Sequence, residues 1–407
     1  MARKVKGIDM EISNLFFKLA LILFATKIFG LLTRKFHLPQ VVGAIAAGII
    51  LGPAILGVIV PSEIITIVAE IGVVLLMFTA GLETDFKQLQ ASLKATFIIA
   101  VLGIIIPIGG GFALAYCFGQ DVLKSVFIGV ILTATSVSIT VETLHEMGKL
   151  KTRAGTAILG AAVIDDVLGI IILSVVMGTS DDGSVSIAEI GLMLLKIIGF
   201  FALALIFGVT VFKVFKYLII KKGIKKRVYI FALVFCFFMA FLAEQFGIAN
   251  IIGAYFAGLI LCNIPSEEAI EEKSTILSYM FFSPIFFFSV GLMTTFEGLD
   301  KRLVLFAVLL LAVAILSKLA GCFLGAVLCK YTKKESLQIG VGMISRGEVA
   351  IIVATLGVNE GHMVPELFSS VIVVVIITTL ITPLLLNLVF RKDEGDMNTD
   401  EVKPSTG

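Results

Sequence analysis

The stretch QVVGAIAAGIIL at residues 40–51 returns as NIIGAYFAGLIL at residues 250–261, an offset of 210. Further along, GLETDF from Gly81 returns as GLMTTF from Gly291 at the same offset of 210. Chance likenesses do not keep one register, so the chain carries an internal repeat. Outward from these two stretches the sequence is a row of apolar runs, most of them about as long as a helix needs to cross a bilayer. Breaks at charged residues, Gly and Pro separate thirteen segments, near residues 13–33, 38–59, 64–82, 93–118, 122–145, 154–178, 186–219, 228–246, 249–264, 276–293, 302–329, 336–358 and 365–390. Matched elements lie seven segments apart, an odd number, so each copy crosses in the direction opposite to its counterpart. That is an inverted repeat, an architecture of secondary transporters, whose sites lie near the midplane where the repeats meet.

Composition agrees with that class and excludes others. The 407 residues are 58% hydrophobic and 15% charged, with a mean hydropathy of +1.09. An average soluble domain carries about 25% charged residues, so a soluble globular protein is ruled out. A net charge of +2 leaves no basic field to attract nucleic acid. Cys117, Cys236, Cys262, Cys322 and Cys329 are odd in number, lie in or beside apolar runs and lack metal-ligand spacing, so they read as small buried hydrophobes. The chain has no Walker-A sequence, no HExxH, no Cys/His cluster and no Rossmann glycine fingerprint. Neither an enzyme nor a cofactor is expected. The start, MARKVKGIDM, is charged like a signal peptide, but no A-x-A-like site follows it, which reads as an uncleaved first helix.

The fold expected is an all-α polytopic membrane protein of about 13 transmembrane helices, forming one transporter domain over 1–407. Its parts are a first inverted repeat at 13–178, a linker helix at 186–219, a second inverted repeat at 228–390 and a disordered polar tail at 391–407, with no soluble domain at either end. Alternate loops hold Arg34 and Lys35; Lys149, Lys151 and Arg153; Lys221 to Arg227; Lys330, Lys333 and Lys334; and Arg391 and Lys392. The opposite loops, such as SDDGS at 180–184, are poor in Lys and Arg. The positive-inside rule then puts the C-terminus in the cytoplasm and the N-terminus outside, in a multi-pass protein of the cell membrane.

Charge inside the spans points to chemistry. The sixth segment carries Asp165 and Asp166 about midway along an otherwise apolar run. An ionised side chain there costs about 2.5–3.5 kcal/mol on insertion scales, so adjacent carboxylates read as functional. Neighbouring positions on a helix diverge by about 100°, and the two cannot do one job. Lys318 sits in mid-segment with no charged neighbour in its own run, and an ammonium so placed needs a carboxylate. It is paired here with Asp165. The fifth segment contains TATSVSIT at 133–140, and the offset of 210 carries Thr135 onto Ser345 and Ser136 onto Arg346, within MISRGEVA at 343–350. Hydroxyls at matched positions of both repeats read as broken helices, whose ends offer dipoles and free carbonyls to an ion. Arg346 is expected to satisfy half-helix C-termini or Glu348 rather than a substrate. His145, at a cytoplasmic end of the same segment, reads as a surface residue in preference to a pH sensor.

Together, TATS at 133–136, AAVIDDVLG at 161–169, Lys318 and SRGE at 345–348 resemble the cation:proton antiporter superfamily, specifically the bacterial and archaeal sodium/proton antiporters of its second branch. The likeness runs over about residues 13–390. It implies the sodium/proton antiporter fold with two crossed broken helices, a homodimer, and two bundles per subunit that move as an elevator. Carried onto this sequence, Asp166 resembles the ion-binding carboxylate and Asp165 the partner of Lys318. Thr135 and Ser136 are then contributors at the crossover, with Thr133, Ser345, Arg346 and Glu348 supporting it. Asp165 and Asp166 would bind the transported Na+ and proton. Related potassium-efflux systems usually have Gln before the Asp and a C-terminal nucleotide-binding domain. This chain has Asp165 there and ends at residue 407, which favours sodium, with Li+ and K+ left open.

The activity expected is electrogenic exchange of Na+ for H+ across the cell membrane, with the bilayer and a second copy as the only partners and no nucleic acid. The rival from another class is a sodium-coupled symporter of an organic anion on the same type of fold, against which two adjacent aspartates speak. A cation channel comes third, because the buried charges supply no open pore ring.

Overall fold

The structure, a computed structural model, describes residues 2–36, 38–177, 187–222, 228–264, 267–294 and 301–400. The loop at 180–184, the basic stretch at 223–227, Thr295 and Phe296 of the second repeat motif, and 401–407 of the expected tail lie outside the described residues.

The described residues form sixteen α-helices, with a π-turn between the eleventh and twelfth. They are α1 (Ala2–Lys35), α2 (Gln40–Leu51), α3 (Glu63–Glu83), α4 (Phe86–Cys117), α5 (Val122–Ile131), α6 (Val137–Glu146), α7 (Arg153–Met177) and α8 (Ile187–Lys222). There follow α9 (Val228–Gln245), α10 (Asn250–Leu261), α11 (Glu267–Leu277), α12 (Ser283–Leu292), α13 (Lys301–Leu328), α14 (Lys333–Gly342), α15 (Glu348–Asn359) and α16 (Phe368–Asp400). No strand occurs among them. Among the described residues nine stretches are long and apolar enough to span a membrane, α11 and α12 joining through the π-turn at Ser278–Phe282 to make one of them. The shorter apolar helices are α2, α10, α5 and most of α15. Two passes, α5–α6 and α14–α15, are therefore each made of two short helices around an extended break.

Side-chain contacts gather the chain's turns at two ends. At one end Arg153 meets Glu335 at 3.2 Å and lies 4.2 Å over the Tyr331 ring, while Lys151 meets Glu271 at 3.5 Å. At the other, Arg302 donates to the carbonyl of Phe118 at 3.1 Å and Ser370 to that of Leu303 at 3.2 Å. The first end, with Arg34, Lys149, Lys151, Arg153 and Lys330, is the basic end of the molecule.

The helices pack as two groups. One contains α4, α5, α6, α7, α13, α14, α15 and α16; the other α1, α2, α3, α8, α9, α10, α11 and α12. Between the groups, α6 packs against α2 and α3, α7 against α8 and α16 against α2. Small residues set the close approaches within each group, as expected where lipid leaves packing to van der Waals contact. Gly48 of α2 abuts the Phe288 carbonyl and Gly291 of α12, while Gly258 of α10 abuts the Phe78 carbonyl and Gly81 of α3. These are the same contact made twice by residues 210 apart in sequence. In the other group, Gly321 and Gly325 of α13 lie against the backbone of Leu102 and Ile99 on α4. That seam brings the Lys318 stem within 3.8 Å of where a Cβ on Gly103 would stand, and so fixes the lysine's depth.

Candidate functional site

The site lies where the two broken passes cross. Helix α5 ends at Ile131 and α6 begins at Val137, and α14 ends at Gly342 and α15 begins at Glu348. The extended segments between them bond to each other: Ser136 N–H donates to the Ser345 carbonyl at 2.9 Å, and Ser345 Oγ donates to the Ser136 carbonyl at 2.7 Å. Thr140 Oγ1 adds a bond to the Gly342 carbonyl at 2.7 Å. Gly347 has to be glycine for this crossing, because a Cβ there would stand 2.7 Å from Ser136 Oγ.

Each break exposes the C-terminal carbonyls of a half-helix, where the dipole is negative. A cation answers each. Lys318 Nζ donates to the Thr133 carbonyl beyond α5 at 3.0 Å. Arg346 Nη1 donates to the Ile344 and Met343 carbonyls beyond α14 at 2.9 and 3.3 Å, and its Nη2 reaches the Ala314 carbonyl of α13 at 3.3 Å. Thr379 of α16 holds the Arg346 carbonyl at 2.6 Å. Arg346 thus caps its own half-helix. Glu348 opens α15, and its side chain lies outside the described part of the structure.

Lys318 also meets both oxygens of Asp165, at 2.8 and 2.9 Å. Asp165 Oδ2 accepts from Thr135 Oγ1 at 2.7 Å, and the same hydroxyl lies 3.2 Å from the Thr133 carbonyl. The lysine is wholly buried and the aspartate is 3% exposed. The structure therefore brings Asp165, Lys318, Thr133 and Thr135 into one cluster. Asp166, a third of a helical turn around α7, is half-buried. Ser136 is buried, and its Oγ has no hydrogen-bond partner among the described residues. A buried hydroxyl of that kind is an oxygen available to a cation.

Toward the basic end lies a second set of residues, of which sequence reasoning considered only His145 and passed over Glu83, Glu142 and Glu146. Glu83 of α3 meets His145 Nε2 at 3.1 Å, and the imidazole stacks on the Tyr279 ring with centroids 3.8 Å apart. His145, placed at the surface by its position at a segment end, keeps a quarter of its side chain exposed but is held between Glu83 of α3 and the π-turn. Glu146 Oε2 accepts from Gln40 N–H at 2.8 Å. Glu142, one turn nearer the crossover, is 7% exposed. One signal was legible: acidic residues in the last turns of a helix oppose its dipole, and α6 has two of them.

Comparison with known proteins settles the lineage of this arrangement. The profile of the family described as "Sodium/hydrogen exchanger, transmembrane" matches residues 20–392. The chain belongs to the sodium/hydrogen exchanger family. It is 39% identical to the Na(+)/H(+)-K(+) antiporter GerN of Bacillus cereus, over 95% of this chain and 99% of that protein. It is 36% identical to a Na(+)/H(+) antiporter of Enterococcus hirae, over 92% of this chain and 97% of that one. Its fold is that of the sodium proton antiporter MjNhaP1 of Methanocaldococcus jannaschii, with a TM-score of 0.69 over 94% of this chain and 99% of that one, at 19% identity. This member of the family is a multi-pass membrane protein, with the antiporter fold read from its sequence. The reading as a symporter of an organic anion finds no support in these relatives.

Proposed function

We propose that this exchanger moves Na+ against H+ across the cell membrane by alternating access, the group that holds α7 and the crossover sliding against the other as an elevator. The observation that carries the reading is the buried Lys318–Asp165 pair, fastened to the break of a membrane helix beside a half-buried Asp166. A carboxylate at that depth holds either a proton or a dehydrated cation but not both, so one site serves both cargoes in turn.

Asp166 takes the ion, with Asp165 and the hydroxyls of Thr135 and Ser136 completing the ligand set. Thr133, Ser345, Arg346 and Glu348 hold the crossover in shape. Sodium at Asp166 competes with Lys318 for Asp165, and the ammonium, its counter-charge withdrawn, releases a proton in addition to the one displaced from Asp166. Two protons against one sodium makes exchange electrogenic. The two repeats, 13–178 and 228–390, joined by the linker at 186–219, supply the symmetry that lets the site face either side. The basic end is the cytoplasmic one by the positive-inside rule, with the N-terminus external and the C-terminus inside, and the working form is a homodimer.

Asp166→Asn tests the assignment. Reconstituted in proteoliposomes, the variant should insert normally and lose sodium-driven proton movement. Substantial exchange remaining in it would remove Asp166 from the site.

A further inference from the structure

A cavity of about 1080 Å³ opens between the two helix groups at the basic end, walled by α1, α2, α6, the π-turn with α12, and α16. Glu142 and Glu146 line it, and neither Asp165 nor Asp166 does, so it stops short of the crossover. Glu146 is exposed there, whereas Glu142 is 7% exposed; the Ser283 hydroxyl of α12 lies near its carboxylate, and its Oε2 has no hydrogen-bond partner of good geometry among the described residues. The two carboxylates are four residues apart on one helix, about 6 Å along its axis.

Three choices here are unfavourable on their own. A buried carboxylate oxygen without a donor is costly. Like charges at this spacing repel. Both carboxylates lie toward the C-terminal end of α6, where the dipole is negative. Of the positive groups around the cavity, Arg34 and His145 attract Glu146, and none is set against Glu142. On α3, Glu83 is taken by His145 at 3.1 Å, which occupies the imidazole as well. Lys27 and Arg34 on α1 are exposed, and Lys149 lies in the loop after α6. Among the described residues no Lys or Arg comes within 4.0 Å of either Glu142 or Glu146. The walls contributed by α2, α12 and α16 bring no charge. A small cation between the two carboxylates would offset all three.

We infer that Glu142 and Glu146 form a second monovalent-cation site, which draws a partly hydrated ion from the basic side and passes it inward toward Asp165 and Asp166. Two carboxylates bind weakly enough to let the ion leave; no group of three His, Cys, Asp or Glu side chains among the described residues is placed to trap a metal. The inference rests on the exchange reading for the direction of travel. It assigns Glu142 a role that the central cluster does not need.

The test compares sodium supplied from each side, using everted and right-side-out membrane vesicles carrying wild type, Glu142→Gln or Glu142→Asp. With sodium at the basic side, Glu142→Gln should raise the apparent KM roughly fivefold, the equivalent of about 1 kcal/mol of screened attraction to one carboxylate. Its maximal rate, and its KM from the opposite side, should not change, and Glu142→Asp should keep most of the wild-type affinity. An unchanged KM at the basic side, or an equal rise from both sides, would overturn the site. Wild-type crystals soaked in thallium acetate give an answer that does not depend on the variants folding. Anomalous density between Glu142 and Glu146 supports the site, and density at Asp166 alone overturns it. Thallium bound at Glu142 in a protein that exchanges no sodium would refute the exchange reading and leave this site in place.

Discussion

Lys318→Gln is the most informative single change, because it separates a structural consequence from a transport one. The substitution removes an ammonium that makes three bonds of 3.0 Å or less, two to Asp165 and one to the Thr133 carbonyl. Asp165 keeps its bond from Thr135 at 2.7 Å, and the Gln amide replaces at most part of what the ammonium supplied. Breaking a buried pair by removing one partner costs about 3–5 kcal/mol, whereas replacing both partners by neutral groups costs far less. Lys318→Gln should therefore lower the melting temperature in detergent clearly, and Asp165→Asn together with Lys318→Gln should regain most of the loss. The transport consequence follows from charge. If two protons move against one sodium, each cycle carries one net charge, worth about 2.3 kcal/mol per 100 mV. That is roughly a 50-fold change in the sodium gradient at equilibrium. In proteoliposomes with the potential clamped by valinomycin, the sodium distribution reached by the wild type should shift by about that factor per 100 mV. The distribution reached by Lys318→Gln, carrying one proton per sodium, should not move. A wild type indifferent to potential, or a variant shifting as far as the wild type, would refute the reasoning and leave Lys318 a structural partner of Asp165.

Two further outcomes follow from packing and charge. Gly258→Ala and Gly48→Ala each drive a methyl into a backbone carbonyl that cannot swing away, and overpacking of this kind costs about 1–3 kcal/mol. Both should lower the melting temperature, and Gly109→Ala, which meets nothing within 4 Å, should not; equal behaviour of all three would undo the account of the helix seams. A reporter fused after Arg391 should register cytoplasm and one inserted at Asp182 the exterior, and both on one side would overturn the assignment of the basic end.

Much of this molecule is legible along the chain because the bilayer makes depth a local property. An apolar run of given length either spans or does not, a charge midway in such a run is expensive wherever its partners are, and a shared offset of 210 needs no coordinates to be noticed. Membrane class, the order of segments, the paired polar interruptions and the position of Asp165, Asp166 and Lys318 within their runs all come from that locality. Rotation about a helix axis is not local. Asp165 and Asp166 differ by one position, and which of them meets an ammonium 153 residues away depends on how α7 and α13 are turned. That turn is set by how closely the glycine seams let neighbouring backbones approach. The place of Arg346 in a polar interruption already points to half-helix C-termini, and the structure adds that the carbonyls it reaches are those beyond its own α14. Glu142 is the clearest case. Its sequence neighbours place it near the end of a helix, and only the closing of α2, α12 and α16 around α6 turns that position into a buried carboxylate at the inner end of a cavity.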